Sequence, residues 1–230
     1  MEITMHLECL SPPCKKVLNK LKTLVKSEGF VLAGGTALAL YLGHRISMDL
    51  DFFSEHPFST DTLMSKIQKA GLTPEVLQES QGTLNLLVNR VKVSVHHYPY
   101  PFSENTREWN GILISGLTDI AAMKVIAISQ RGAKRDFADL YFLLQDLPFR
   151  KVAEQMIQKY GKNRINPVSI GKALVYFRDA EPDPDPQYCG REKPDWETIK
   201  RFFHGNLKQM VYDLHAAAKP IHGAPETLQR

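Results

Sequence analysis

The sequence predicts an α+β fold, in which a mixed sheet with flanking helices is followed by a helical carboxy-terminal domain. Strand and helix patterns alternate along the first half of the chain, whereas only helical periodicity remains after Gly116. Apolar residues make up 43% of the 230 residues, which is enough for a packed interior. We therefore place a domain boundary near Gly116, with a core in residues 1–115 and a helical domain in residues 116–230.

The elements of the core follow from apolar spacing and from the residues that end each segment. Apolar residues recur at helical spacing from Val17 to Val25, and Gly29 closes this helix. A pair of glycines then separates a short apolar strand from a helix that stops at Gly43. In chain order we predict strand 30–33, helix 36–42, strand 48–53, helix 59–70 capped by Ser59, and a hairpin of strands 83–88 and 91–95.

The second half is predicted to be helical. Thr118 is predicted to cap a helix that ends at Arg131, and another helix is predicted to begin near Asp136. Prolines at every second position exclude regular structure from residues 181–187, which we expect to form an exposed loop or linker. The remaining predicted helices are residues 168–177 and 196–215.

The formal net charge of +4 is carried by the second half of the chain. Residues 1–115 hold 11 Lys and Arg against 11 Asp and Glu, whereas residues 116–230 hold 18 against 14. Within the second half, residues 150–172 carry six basic side chains and a single acidic one, Glu154. Such a stretch is either a solvated helix face or a surface that holds RNA or another polyanion, and both interpretations stay open.

The composition also predicts where the protein works. The longest apolar stretches fall far short of the roughly 20 residues needed to cross a bilayer, so we expect no membrane partner. The amino terminus lacks the pattern of a secretion signal, which predicts a cytoplasmic protein. The spacings of Cys9, Cys14 and Cys189 match neither a zinc site nor a disulfide framework, and therefore predict free thiols in a reducing compartment.

The strongest chemical signal is Gly34-Gly35-Thr36, followed by a short helix and then by Asp49-Leu50-Asp51. Glycines after a strand let backbone N–H groups approach a phosphate, and the helix directs its positive end at the same point. Two carboxylates one residue apart on a strand project from one face, which suits Mg²⁺. The combination permits phosphoryl or nucleotidyl transfer, although each half alone is common in turns and on solvated strand faces.

Two blocks of sequence carry a resemblance to a known family. They are AGGTALALYLGHRISMDLDFFS at 33–54 and DIAAMKVIAISQRGAKRDFADLY at 119–141. The first resembles the glycine loop, the helix with a trailing Arg and the DxD strand of the nucleotidyltransferase AbiEii/AbiGii toxin family of type IV toxin–antitoxin systems. The second is similar to the K, R and RDxxDLY block of that family. The resemblance implies a core with the nucleotidyltransferase fold of the DNA polymerase β type.

The resemblance also implies a role for individual residues. Asp49 and Asp51 would be catalytic ligands of Mg²⁺ or Mn²⁺, and Lys124 would be a catalytic phosphate contact. Asp136 would be a catalytic acidic group beside the reacting nucleotide. The remaining residues that would bind the nucleoside triphosphate (NTP) are Gly34, Gly35, Thr36 and Arg45.

Spacing alone leaves other interpretations of the second block open. Lys124 lies among apolar residues of a predicted helix, where a lysine usually extends its ammonium group to the surface. Asp136 could equally be a helix N-cap, and Asp139 could be a surface residue paired with Arg135.

One departure from the pattern of this fold concerns a third carboxylate. Enzymes of the fold commonly carry it on a later strand, where this sequence has Ser94. Lys92, Ser94 and His96 share one face of that strand, so His96 is either a group near the metal or a structural residue. The loss of a carboxylate weakens the case for deprotonation of an attacking hydroxyl but leaves nucleotide binding intact.

We therefore expect a metal-dependent nucleotidyltransferase that moves a nucleotide from an NTP to an acceptor, with RNA such as the 3′ end of a tRNA as a candidate. From the resemblance it would act as a toxin with a cognate antitoxin as partner. Two alternatives are an NTP-binding module whose catalysis is impaired by Ser94, and a nucleotidyltransferase acting on a small molecule.

Overall fold

The computed structural model describes residues 4–103, 106–190 and 192–219. Within these ranges, seven strands form one mixed sheet. In chain order the strands are β1 (Val31–Leu32), β2 (Leu50–Ser54), β3 (Pro74–Ser80), β4 (Thr83–Val88), β5 (Val91–His97), β6 (Arg107–Trp109) and β7 (Ile112–Ile114). Their order across the sheet is β3-β4-β5-β2-β1-β7-β6. Strand β2 is antiparallel to β1 and parallel to β5, so the predicted mixed sheet is confirmed.

Eight α-helices of the described chain accompany this sheet. Three of them precede or interrupt the strands, namely α1 (Pro12–Ser27), α2 (Gly34–Leu42) and α3 (Thr60–Lys69). The other five follow the last strand, namely α4 (Leu117–Arg131), α5 (Lys134–Asp146), α6 (Phe149–Tyr160), α7 (Pro167–Leu174) and α8 (Trp196–Ala218). The change from mixed elements to helices alone therefore occurs where the sequence predicts it.

Local sequence signals explain several element boundaries. Helix α2 ends at Gly43, whose φ of 62° is the left-handed conformation that glycine tolerates at the end of a helix. The Ser59 side chain accepts a hydrogen bond from the Thr62 N–H and caps α3 as predicted. The β4–β5 hairpin turns at Asn89 and Arg90, which have φ values of 49° and 66°, as in a type I′ turn.

Other boundaries differ from the prediction. Helix α4 begins at Leu117 after Gly116, so the predicted cap at Thr118 is wrong and no side chain caps this helix. Strand β3 was not predicted, because almost all of its side chains are exposed and they lack the alternation of a half-buried strand. Helix α6 was also not predicted, although Val152, Ala153 and Met156 form a buried stripe at helical spacing among its basic residues.

The interior is continuous from α1 to α8. One cluster of buried apolar side chains extends from the first helix through the sheet to the last helix. Its largest fully buried members include Phe52 on β2, Phe137 on α5 and Phe203 on α8. Gly116 lies between the sheet and α4, and the division into two domains at that point stays a prediction.

The three cysteines do not behave as predicted. A disulfide joins Cys9, which is buried, to Cys189, with the Cα atoms 6.4 Å apart. The expectation of three free thiols is therefore wrong, and only Cys14 is a free, buried thiol. The sequence hides this pairing because 180 residues separate the two cysteines and only the fold brings them together.

The disulfide anchors a segment that we name the strap, residues 183–190. The Ile46 N–H donates to the Gln187 carbonyl oxygen at 2.8 Å, and the Cys189 N–H donates to the His44 carbonyl oxygen at 3.0 Å. The proline-rich loop thus returns from the helical part of the chain to the loop before β2. Among the residues described, no helix has both the length and the apolar character needed to cross a membrane.

Candidate active site

The glycine pair opens α2 at the edge of a large cavity. Gly34 has a φ of +68°, which only glycine adopts without strain, and a Cβ there would lie 3.2 Å from Asp51 Oδ2. A Cβ on Gly35 would collide with the Arg45 guanidinium group. Glycine at both positions therefore lets the first turn of α2 lie against a carboxylate on one side and a guanidinium group on the other.

Asp49 and Asp51 face the cavity that Gly35 also lines. Asp49 immediately precedes β2 and Asp51 is its second residue. This cavity, which we name the strap cavity, has a volume of about 460 Å³ and is bounded on one side by strap residues Pro184 to Gln187. The Asp49 side chain is 36% exposed, and its Oδ2 lies 3.6 Å from Arg135 Nη1. Both carboxylates are therefore on the same side of the sheet as the glycine pair.

The two carboxylates fit a divalent cation that is shared with a phosphate. Within the described ranges, no group of three or more His, Cys, Asp and Glu side chains converges as a metal site. The protein thus offers two carboxylates, and the missing side chain at Gly34 leaves Asp51 open toward the first turn of α2. Oxygen ligands of this kind suit Mg²⁺, which usually takes one or two carboxylates and completes its shell with phosphate and water.

A cluster of charged side chains, all buried except Arg131, lies beside these groups. The Lys124 ammonium group on α4 is 2.8 Å from Asp136 Oδ1 and 2.6 Å from Asp139 Oδ2, and both aspartates are on α5. Arg131 Nε donates to the other Asp136 oxygen at 2.8 Å. Arg45 binds Asp139 with two N–H groups, at 2.6 and 2.8 Å. We name these five side chains the charge cluster.

Electrostatics keep both aspartates of the charge cluster ionised. Burial alone would raise the pKa of Asp139, but Arg45 and Lys124 outweigh burial and hold this pKa well below its ordinary value. Burial likewise acts to raise the pKa of Asp136, and Lys124 and Arg131 lower it overall. Burial lowers the pKa of His44, whose Nε2–H donates to the Asp139 carboxylate at 2.8 Å, although Asp139 opposes this shift.

A second cavity adjoins the first. It has a volume of about 520 Å³, and its wall contains Phe53 and three tyrosines, so we name it the aromatic cavity. The Tyr98 and Tyr160 hydroxyl groups lie 2.6 Å apart, and burial raises the pKa of Tyr160 to about 12. The third tyrosine is Tyr100, which packs edge-on against Tyr160 with ring centroids 5.0 Å apart. The residues common to both cavities are Gly35, Asp51, His96, Lys124 and Arg131.

Ser94 occupies the position beside Asp51 in the sheet. Strands β2 and β5 are parallel, and their register pairs Asp51 with Ser94 and Phe53 with His96. Ser94 is buried and lines the strap cavity, whereas His96 lies where the two cavities meet. Burial lowers the pKa of His96, and the nearby Asp51 opposes this shift.

The predicted nucleotide-binding residues do not all present their side chains to a cavity. Thr36 is buried, and its hydroxyl group hydrogen-bonds to Ser47 Oγ at 2.7 Å and to the Asp49 carbonyl oxygen. It therefore fixes the loop that carries Asp49. Arg45 lines the strap cavity while its guanidinium group is held by Asp139.

The alternative interpretations of the second block are wrong. Lys124 does not extend to the surface, because it is 5% exposed and lies between two carboxylates. Asp136 is not the cap of α5, since Ala133 holds that position. Asp139 is fully buried rather than on the surface, and Arg135 instead approaches Asp49.

Sequence reasoning missed the aromatic cavity and the strap as parts of the site. The run His96-His97-Tyr98-Pro99-Tyr100 was an available signal, because aromatic residues at the end of a strand beside a phosphate loop are candidates for base stacking. The strap had no comparable signal. Its contribution depends on backbone hydrogen bonds between segments that are far apart in the chain.

Known proteins resemble this chain in sequence and in fold. A family model described as "Nucleotidyl transferase AbiEii toxin, Type IV TA system" matches residues 16–84 and 89–223. The chain is 40% identical over 205 residues to the protein named aq_aa25 of Aquifex aeolicus (strain VF5), covering 86% of this chain and 95% of that one.

Among solved structures, the fold is similar to that of MenT4, the nucleotidyltransferase toxin Rv2826c from Mycobacterium tuberculosis H37Rv. The superposition has a TM-score of 0.60 at 16% identity and covers 90% of this chain and 87% of that one. At this identity the similarity concerns the fold alone.

Proposed function

This chain belongs to the AbiEii nucleotidyltransferase toxin family, and on that premise we propose that it transfers a nucleotide from an NTP to an acceptor hydroxyl group where the strap cavity meets the aromatic cavity. We base the location on one observation. Gly35 at the start of α2, Asp51 and Lys124 converge where the two cavities meet.

The triphosphate binds at the first turn of α2. The N–H groups of Gly34, Gly35 and Thr36 belong to the start of a nine-residue helix, where backbone donors lack intrahelical partners and the helix dipole favours an anion. Thr36 contributes its backbone N–H, because its hydroxyl group is engaged with Ser47 and Asp49. Lys124 and Arg45 line the strap cavity together with Gly35 and add positive charge there.

Asp49 and Asp51 would hold Mg²⁺ or Mn²⁺ together with the phosphates. The cation would neutralise charge that develops on the phosphate oxygens during transfer. The protein's own groups orient the reactants, and Asp136 acts by fixing Lys124 and Arg131. The acceptor hydroxyl oxygen then attacks the α-phosphorus and loses its proton to solvent, while the bond from the α-phosphorus to the oxygen bridging it to the β-phosphate breaks and pyrophosphate leaves.

The aromatic cavity suits the nucleobase. Phe53, Tyr98 and Tyr100 line this cavity together with Asp51 and the glycine pair. Stacking of a base on an aromatic side chain contributes about 1–3 kcal/mol and tolerates every base, because each base has a π face. When the base occupies the aromatic cavity, the strap cavity remains free for the acceptor.

The charge distribution favours a polyanionic acceptor, and we propose RNA, with the 3′ end of a tRNA as the first candidate. The strap cavity is rimmed by Lys92, Arg131 and Arg135, all of which are exposed. In the basic stretch 150–172, Lys159 is paired internally with Asp119, while Lys151, Lys162, Arg164 and Lys172 remain exposed. These exposed cations supply the sequence-independent attraction that RNA binding requires.

A second candidate is an NTP-binding module with impaired catalysis, which Ser94 favours. Ser94 lies beside Asp51 where the fold commonly has a carboxylate, and a serine does not accept a proton from the acceptor hydroxyl group at neutral pH. This candidate predicts Mg²⁺-dependent NTP binding without turnover. A transferase acting on a small molecule would share the NTP site and differ only in the acceptor.

The family also motivates two proposals about the cellular context. Because its members are described as toxins of type IV toxin–antitoxin systems, we propose that a cognate antitoxin counteracts this protein. Since NTPs and RNA are intracellular, we propose that the protein acts in the cytoplasm.

The test is a transfer assay with purified protein, Mg²⁺, each labelled NTP in turn and total cellular RNA. We expect label in RNA, and we expect Asp49→Ala and Asp51→Ala each to abolish it. Asp61→Ala is the matched control, because Asp61 is an exposed carboxylate in the first turn of α3 and lines neither cavity.

Each outcome separates the candidates. Absence of label with every NTP and RNA counts against transfer to RNA, and a screen of sugar and aminoglycoside acceptors then tests transfer to a small molecule. NTP binding by calorimetry without any product supports the impaired module, and gain of transfer in Ser94→Asp would establish it.

A further inference from the structure

Asp139 is the acceptor at the centre of the charge cluster. It is fully buried, and its carboxylate accepts from three side chains. Oδ1 lies 2.6 Å from Arg45 Nε and 2.8 Å from His44 Nε2, while Oδ2 lies 2.8 Å from Arg45 Nη2 and 2.6 Å from Lys124 Nζ. Both oxygens are thus saturated by donors, so this carboxylate has no lone pair left for a substrate.

The donors come from two distant parts of the chain. His44 and Arg45 belong to the loop between α2 and β2, whereas Lys124 is on α4. The two-point contact with Asp139 fixes both the position and the plane of the Arg45 guanidinium group. That group lies against Gly35, where no Cβ fits. Asp139 thereby sets how closely a cation approaches the glycine pair.

A second buried aspartate of the protein, Asp119, forms an ion pair that serves structure alone. Asp119 is also fully buried and binds Lys159 Nζ at 2.7 Å, but neither residue lines a cavity. The cations bound to Asp139, in contrast, reach the cavities: Arg45 lines the strap cavity and Lys124 lines both. The Asp119 pair holds elements together, whereas Asp139 holds two cations that face the substrate site.

We propose that Asp139 is a positioning residue, which holds Arg45 and Lys124 in the arrangement that the reacting triphosphate requires. This inference rests on the proposed nucleotidyl transfer and assigns a role to a residue that touches neither NTP nor acceptor. Misplacement of a catalytic group by about 1 Å can lower a rate by about 100-fold even when binding survives.

The charge balance of the cluster predicts how removal of the Asp139 carboxylate affects NTP binding and turnover. In the charge cluster, the cations Arg45, Lys124 and Arg131 face the carboxylates of Asp136 and Asp139. Removing the Asp139 charge makes the cluster more positive, so attraction of the triphosphate is not lost. The two cations nevertheless lose the acceptor that orients them. Turnover should therefore fall while NTP affinity is kept.

The experiment compares Asp139→Asn with Leu140→Ala in the transfer assay. Leu140 is the next residue of α5, is fully buried and lines neither cavity, so its truncation loosens the same helix without touching the charge cluster. For Asp139→Asn we expect kcat to fall by roughly 10- to 100-fold. We expect KM and the calorimetric Kd for NTP to stay within about threefold of wild type or to decrease. For Leu140→Ala we expect kcat and KM close to wild type below its unfolding temperature.

A second variant covers the case in which Asp139→Asn does not fold. Asp139→Glu keeps the charge but moves the carboxylate by one methylene, so we expect it to fold and to have a kcat between wild type and the rate of the asparagine variant. A kcat equal to that of Leu140→Ala in either folded variant would overturn the inference, as would a loss confined to KM. Failure of the proposed function is distinct, because wild type itself would then lack transfer.

Discussion

Asp51 pairs with Ser94 across the parallel strands β2 and β5, so a carboxylate placed at position 94 would adjoin a carboxylate that is already open toward the start of α2. Ser94 is 2% exposed, and water therefore screens little of any charge at this position. Metal binding at Asp51 can therefore be tested by measuring the stability of a variant with a carboxylate at position 94.

We expect Ser94→Asp to lower the free energy of unfolding by about 1–3 kcal/mol without divalent metal, because the new carboxylate would be buried and would repel the adjacent Asp51 carboxylate. Mg²⁺ should restore much of this loss by binding both groups. The measurement is thermal unfolding with and without Mg²⁺. Ser94→Asn is the matched control, since it adds a similar volume without charge and should show no such Mg²⁺ effect. A loss that Mg²⁺ does not change would contradict a metal site at Asp51.

Gly35→Ala should damage the site without a general loss of fold. The new Cβ would collide with the Arg45 guanidinium group, which Asp139 holds from the other side. We expect kcat/KM for NTP to fall by about 10- to 100-fold. Gly205→Ala is the control, because Gly205 lies in α8 with nothing within 4 Å of its Cβ position. That variant should gain about 0.5–1 kcal/mol of stability and keep its activity. Equal activity in both variants would show that transfer does not depend on the position of the Arg45 guanidinium group beside Gly35.

Acid should unfold the protein through the aspartates of the charge cluster. The pKa values of Asp136 and Asp139 are held below the ordinary 3.8, so both are ionised in the folded protein at neutral pH. A lowered folded-state pKa contributes stability that is complete above the unfolded-state pKa and is lost as pH falls through the folded-state pKa. The stability contributed by these two aspartates should therefore be complete down to about pH 5 and be lost progressively below about pH 4.

Urea unfolding between pH 7 and pH 3 measures this effect. Asp136→Asn should be less stable at pH 7, because it removes the carboxylate that binds Lys124 and Arg131. Its stability should also depend less steeply on pH below 4, since one of the titrating groups is gone. An unchanged slope in this variant would mean that Asp136 does not titrate with unfolding.

The disulfide should contribute to stability under oxidising conditions. It closes a loop of 180 residues between Cys9 and Cys189, and such a crosslink typically stabilises by about 2–5 kcal/mol. A reducing agent should lower the unfolding temperature of wild type and leave that of Cys189→Ser unchanged. Wild type with reducing agent should then match the variant. Equal unfolding temperatures for wild type with and without reductant would show that the bond does not form in solution.

The sequence by itself determined the elements around the candidate site and the types of residue that it brings together. Glycines 34 and 35, the alternation around Asp51 and the helical texture after Gly116 are local signals, because they depend on neighbours within one or two turns of chain. They predicted the helix after the glycine pair, the strand that carries Asp51 and the proximity of both carboxylates to the glycine pair.

Only the tertiary structure decided which side chains line the two cavities. Thr36 is turned into the loop before β2, Asp139 accepts a hydrogen bond from His44, which lies 95 residues earlier in the chain, and the strap returns to bound one cavity. The physical reason is that hydrogen-bond partners and disulfide partners are chosen by distance in space, which residue spacing does not encode. Local periodicity predicts which face of a helix is buried. The packing of helices that are far apart in the chain determines which buried charged side chains contact each other.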